Sequence, residues 1–330
     1  MASQNNNPRV LWIERAQVLS MLLVVLHHCV PHGYDGPAWL LNLLTAIQYP
    51  ALVCFFLTSG LLAAGWRKRG WAAYMKRRCL RLLPPYLCVN LLMLAPRYVA
   101  ARMMGVEVRL TAGWVLTSFL DPHGQGIAPH LWFLLTLLIM NALLPLIDLA
   151  MGRGKGLRAG VLAALLIASA LPVKLPTFLC LNELKLYLAW YALGYALALA
   201  RGRRNPLKGT VGLAAGLTGL AVFIAALFFP DFALATFLQM AGGGLFLIWL
   251  SGCSNADDPL TRTFRGRTYC VYILSMCVQN LAEVVGYSAR LPWFVTFLMM
   301  LAAGLAVPVL LCRWNEKHPL PGWLRAIVGL

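Results

Sequence analysis

The sequence predicts an all-α, polytopic membrane protein, and three observations carry that prediction. Of its 330 residues, 60 % are hydrophobic and only 12 % charged, whereas a soluble domain carries about a quarter charged residues. Apolar stretches able to cross about 30 Å of hydrocarbon recur from end to end. Between them the basic residues fall in short clusters, "RKRG" (67–70), "KRRCLR" (76–81) and "RGRR" (201–204), the pattern by which a membrane protein sets its orientation. A net charge of +17 placed in this way argues against nucleic acid as a partner. It argues for anionic lipid headgroups or a phosphorylated small molecule.

Taken in order, the expected spans are 13–30, 39–65, 82–101, 131–151, 159–173, 184–200, 210–229, 232–251, 268–287 and 291–312. The first opens with Glu14, Arg15 and Gln17, and 159–173 is short for a crossing that needs about 20 residues. About ten transmembrane helices result. With the N-terminus in the cytoplasm, more than three-quarters of the 28 Lys and Arg residues lie on that side. The positive-inside rule therefore predicts both termini cytoplasmic. The start of the chain is polar and no small-residue cleavage pattern follows the first apolar run, so that run reads as a retained helix. The longest connection, 102–130, carries "GWVLTSFLD", which reads as a short interfacial helix on the outer side. No repeat, linker or soluble insertion interrupts the pattern, so 1–330 reads as one membrane-embedded domain. Nine cysteines are scattered without a CxxC pair, which indicates neither a metal site nor a disulfide framework.

Chemistry concentrates in a few places. Three of the six histidines fall in "VVLHHCVPHGY" (24–34), at the end of the first apolar run. An ionisable group inside or at the end of a span is costly and marks a functional candidate. On a regular helix Gln17 and His28 lie within about 20° of one face, Glu14 lies within about 40° of it, and Arg15 points about 140° away. His27 adjoins His28, and His32 lies beyond the helix-breaking Pro31 as an outer-loop residue. In the basic stretch Lys76, Arg77, Arg78 and Arg81, the last two are three residues apart and share a helix face. Two guanidiniums there form a candidate phosphate clamp. "PHLWFLLTLL" (129–138) puts His130 and Trp132 at the outer mouth of a later span, and Gln279, Asn280 and Glu283 share a flank near the C-terminal end.

Together these motifs resemble the acyltransferase-3 family of integral membrane acyltransferases. Its members carry a first helix with an acidic residue and an Arg that ends "VVxxH", then "FFxxSGFLL", "KRxxRIxPxY" and "HLWFL". Here the same order reads "IERAQVLSMLLVVLHH", "FFLTSGLL", "KRRCLRLLPPY" and "HLWFL", and "TYCVYILS" (268–275) is similar to the late "SYxIYLxH". The resemblance covers nearly the whole chain. It implies transfer of an acyl group, most commonly acetyl, from cytoplasmic acyl-CoA to a hydroxyl of an extracytoplasmic saccharide or cell-envelope glycan. It further implies a bacterial inner-membrane location, acyl-CoA as co-substrate rather than a tightly bound cofactor, and membrane lipids as partners; a homo-oligomer is compatible with it. His28 becomes the base, with Glu14, Arg15 and His27 as its neighbours. Lys76, Arg77, Arg78 and Arg81 become the donor contacts, and His130, Trp132, Asn280 and Glu283 the acceptor contacts. Two positions depart from the pattern: Gln17 stands where relatives carry an Arg, and Ser275 where they carry a His. Arg15 takes over the missing guanidinium only if the first helix starts irregularly. The rival classes are a transporter or flippase without acyl chemistry, and a scaffold for polysaccharide assembly.

Overall fold

A computed structural model describes residues 10–103, 111–124, 126–254 and 258–330, and among these no strand occurs. The first half of the chain forms α1 (Leu11–His27), α2 (Ala38–Ala46), α3 (Gln48–Ala63), α4 (Trp71–Leu92), α5 (Leu94–Met103), α6 (Ala112–Leu120), α7 (Trp132–Ala142) and α8 (Leu144–Gly152). The second half forms α9 (Lys155–Ala170), α10 (Leu181–Arg201), α11 (Gly209–Phe228), α12 (Ala235–Gly252), α13 (Pro259–Phe264), α14 (Thr268–Ser288), α15 (Trp293–Lys317) and α16 (Gly322–Val328).

Three expected segments differ in their boundaries, each for a local reason. The 39–65 run turns at Ile47 into α2 and α3, with Pro50 seated in the first turn of α3, where a missing N–H costs nothing. The 131–151 run bends by 51° between α7 and α8, and Pro145 opens the second piece. The basic stretch before 82 is helical from Trp71 onward, because Met, Lys, Arg and Leu are strong helix formers. A short helix does form over the expected stretch, as α6, capped by the Thr111 hydroxyl accepting from the Trp114 N–H at 3.1 Å.

Among the described residues, six helices are long and apolar enough to cross a membrane, or seven if the bent α7–α8 pair is one crossing. The chain is therefore an integral membrane protein of helical class. Six or seven is fewer than the ten expected from apolar runs, and the shortfall has a cause. The helices α1 and α9 have only 17 and 16 residues. Although α10 has 21, Asn182, Glu183 and Lys185 at its start and Arg201 at its end lower its hydropathy.

The helices α1, α3 and α10 form the middle of the bundle: α1 packs on α3, α12 and α14, and α3 packs on α10 and α12. Because lipid tails are as apolar as leucine, close approach at small residues does the work that burial does in water. Between α3 and α10 that approach is extreme. A Cβ on Gly194 would lie 1.9 Å from the Leu57 carbonyl oxygen, and one on Gly60 2.0 Å from that of Tyr191. This contact holds Phe56 and Tyr187 stacked at 4.9 Å.

Candidate active site

α1 ends at His27, and the chain turns at His28 before Pro31. The turn brings both imidazoles against α3, α7 and α14. His27, His28, His130, Trp132, Phe133 and Tyr272, with Val24, Gln48 and Leu52, line one cavity of about 30 Å³. That is room for about one water molecule. The rings of His27 and His28 lie 4.8 Å apart. His27 Nδ1 stands 2.9 Å from the Leu44 carbonyl oxygen. His130 is only 4 % exposed; its Nε2 lies 3.3 Å from the Ile273 carbonyl oxygen, and its Nδ1 has no hydrogen-bond partner. The Tyr272 hydroxyl donates to the His130 carbonyl, fixing the entry to α7 against α14.

A carbonyl oxygen only accepts, so each histidine nitrogen facing one carries the proton. His130 is then protonated at Nε2 with a lone pair on Nδ1, and His27 is protonated at Nδ1 with a lone pair on Nε2. His28 makes no side-chain hydrogen bond among the described residues and keeps both tautomers open. The arrangement is a small apolar-walled chamber holding neutral bases, suited to take a proton from a hydroxyl.

Four expected site residues thus meet: His27, His28, His130 and Trp132. Glu14 and Arg15 do not join them. α1 is a regular helix from Leu11, and Arg15 stands about 20 Å along its axis from His28. The Arg15 guanidinium is buried and donates to Asp258 Oδ2 (3.0 Å) and to the carbonyls of Ser251 (3.0 Å) and Ser254 (2.6 Å) at the end of α12. Burial alone raises the Asp258 carboxyl, but hydrogen bonds from Thr261 and Arg15 outweigh it and hold the group at about 2. Glu14 pairs with Arg265 at 2.7 Å. The opening turn of α1 is thereby clasped to both ends of α13. Glu283 faces the connection between α1 and α2, where the His32 backbone N–H (2.5 Å) and Nδ1 (2.8 Å) bond its Oε1. That bond raises the His32 imidazole above its ordinary value. Neither Glu283 nor the half-buried Asn280 lines the cavity.

In the basic stretch, Lys76, Arg77 and Arg81 are exposed and Arg78 is half-buried, and Arg78 and Arg81 lie over aromatic rings. Arg78 lies 4.9 Å from the centre of the Tyr74 ring, and Arg81 lies 4.9 Å from that of Tyr269. The Tyr269 hydroxyl donates to the Arg81 carbonyl at 2.9 Å. Tyr269 and Tyr272 are one turn apart on α14, about 4.5 Å of rise. Arg81, through Tyr269, and the histidine cavity, through Tyr272, thus meet the same helix, a link invisible in the spacing of their motifs.

Sequence reasoning also missed a second histidine–carboxylate pair. His123 Nδ1 lies 2.5 Å from Glu183 Oε1, a carboxylate whose side chain is 2 % exposed. The hydrogen bond to Glu183 raises the His123 imidazole. The His123 ring stacks on Trp132 at 5.6 Å, with planes 12° apart. His123 lies in the 121–131 connection and Glu183 in the first turn of α10, 60 residues on. No local pattern relates them.

The acyltransferase-3 family model, described as an acyltransferase domain, matches residues 10–313, which include every element of the site. The chain belongs to the acyltransferase-3 family. No curated protein and no solved structure is matched. Membership makes this acyltransferase-3 chain a membrane acyltransferase. Its family motifs "HH" and "HLWFL" are the two that face each other across the cavity.

Proposed function

We propose that the chain transfers an acyl group, preferentially acetyl, from cytoplasmic acyl-CoA to a hydroxyl of an extracytoplasmic saccharide or cell-envelope glycan, in a bacterial inner membrane. The single observation that carries the reading is the meeting of His27, His28, His130 and Trp132 in one cavity of a membrane bundle. Two arginines of α4 accompany it: Arg81 lies over Tyr269, one turn along α14 from Tyr272, and Arg78 lies over Tyr74 of α4 itself.

Arg78 and Arg81 hold the donor's phosphates by charge-assisted hydrogen bonds, and the thioester reaches up α14 toward Tyr272. His28 takes the proton of the acceptor hydroxyl, whose oxygen attacks the thioester carbon; the C–S bond then breaks and CoA leaves as its thiol. The outer face supplies Trp132 as a flat apolar wall and His123–Glu183 behind it. Ten crossings follow if α1, α9, α10 and the bent α7–α8 pair span together with the six long helices. The Lys and Arg distribution favours both termini on the cytoplasmic side.

The test is mass spectrometry of envelope glycans from cells with and without the gene, joined to transfer from labelled acetyl-CoA by the purified chain. Loss of an O-acyl group in the deletion and its restoration in vitro is the expected result. Identical glycans, with no transfer to base-treated envelope polysaccharide, would contradict it.

A further inference from the structure

We infer that His130 is the receiving end of a two-histidine proton relay. In it His28 accepts the hydroxyl proton on one ring nitrogen and passes the proton of its other nitrogen to Nδ1 of His130. The inference rests on the acyl-transfer reading and adds where the proton goes and why two histidines are needed.

The imidazoles of the cavity are not equivalent. The Ile273 carbonyl fixes His130 with its lone pair on Nδ1, and the nitrogen carrying it sits in a wall only 4 % exposed, with no partner. Folds rarely leave a buried polar atom unpaired without a use for it. His28 is the opposite case, since no hydrogen bond from a described residue fixes its tautomer. A relay needs a free tautomer in the middle and a fixed acceptor at the end. The cavity between them, about 30 Å³, admits about one water, so transfer is direct or through that single molecule.

The step balances. The acceptor O–H bond breaks as its proton goes to His28, and the His28 N–H opposite releases a proton to His130 Nδ1. His28 ends neutral and His130 ends as imidazolium. The acceptor oxygen forms the ester bond, the C–S bond breaks, and the CoA sulfur takes the proton back along the same path. His130 is the better place to keep the charge meanwhile. Its Nε2–H already points at the Ile273 carbonyl, and that bond strengthens when the ring becomes cationic.

The test uses the full chain in lipid nanodiscs with acetyl-CoA and base-treated envelope polysaccharide. In His130→Gln the amide nitrogen reaches the place of Nε2 and keeps the bond to Ile273 but supplies no base. Its kcat falls about a hundredfold or more, with both KM values within about threefold, and the acid limb of the kcat–pH profile moves. His130→Asn, with an amide at the Nδ1 position, shows the same loss. In the wild-type chain, rates in mixed H2O and D2O bow below a straight line, because two protons move together. A His130→Gln kcat within about threefold of wild type, a rise in acceptor KM alone with an unmoved pH limb, or a straight isotope plot would each overturn the relay. Absence of any transfer by the wild-type chain would instead strike the acyl-transfer reading itself, and is seen before any variant is made.

Discussion

Replacing Arg15 separates a structural arginine from a chemical one. Its side chain is 8 % exposed and its charge-assisted hydrogen bonds include one to Asp258, whose side chain is 35 % exposed, and two to carbonyls at the end of α12 and just beyond it. The bond to the partly exposed carboxylate is screened and worth about 1 kcal/mol. The two carbonyl bonds bring the loss in Arg15→Ala to about 3–5 kcal/mol, the cost typical of breaking a buried charged contact. Asp258→Asn, which leaves both carbonyl bonds intact, should cost about 1 kcal/mol. Thermal unfolding in detergent, followed by fluorescence size-exclusion chromatography, should show a drop on the order of ten degrees for Arg15→Ala and a few degrees for Asp258→Asn. The double variant should lose less than the sum, since the two share one contact. Turnover per folded molecule should stay near wild type in nanodiscs at low temperature, because His28 is about 20 Å away along α1. An Arg15→Ala protein with an unchanged melting temperature and no turnover would refute this reasoning and restore Arg15 to the chemistry.

Three further expectations concern other parts of the molecule. Gly194→Ala sets a Cβ 1.9 Å from the Leu57 carbonyl oxygen and should cost about 1–3 kcal/mol in thermal stability. Gly113→Ala, which meets nothing within 4 Å, should cost nothing, and equal melting temperatures for the two would count against the α3–α10 contact. Arg78→Gln with Arg81→Gln should weaken CoA binding about ten- to a hundredfold per residue by titration calorimetry, leaving the acceptor requirement unchanged; unaltered CoA binding would reduce both to topology signals. Because Glu283 raises the His32 imidazole, their bond is fully present below its ordinary value of 6.5 and is lost as pH rises through the raised one. Hydrogen exchange in 28–37, corrected for intrinsic rate, should therefore be faster at pH 8.5 than at pH 6, and His32→Ala should abolish the difference.

Features set by local composition were legible in the sequence, and features set by long-range contact were not. Apolar runs and basic clusters placed α11, α12, α14 and α15 within a few residues, because lipid demands the same apolar length wherever a helix crosses. The breaks at Ile47 and Leu143 were missed, since Pro50 and Pro145 sit inside uniformly apolar runs and mark helix starts only when the first turn is seen. His28, His130 and Trp132 were legible as motifs. Their meeting with Tyr272 depends on α14 lying beside α7, through pairs more than 140 residues apart. The same reason hid His123–Glu183. Helical projection placed Glu14 near the face of His28, but the clasp on Arg265 and the length of α1 keep it far from the chemistry.

The central claim, that His28 is the base for the acceptor hydroxyl, is tested most directly by single-turnover transfer with His28→Ala. The variant is assayed at matched amounts of folded protein, with labelled acetyl-CoA and base-treated envelope polysaccharide. A general base contributes about 10²–10⁴-fold. The account predicts a fall in the transfer rate of that size with unchanged CoA binding. Normal product from His28→Ala, or a dead His27→Ala beside an active His28→Ala, would contradict it.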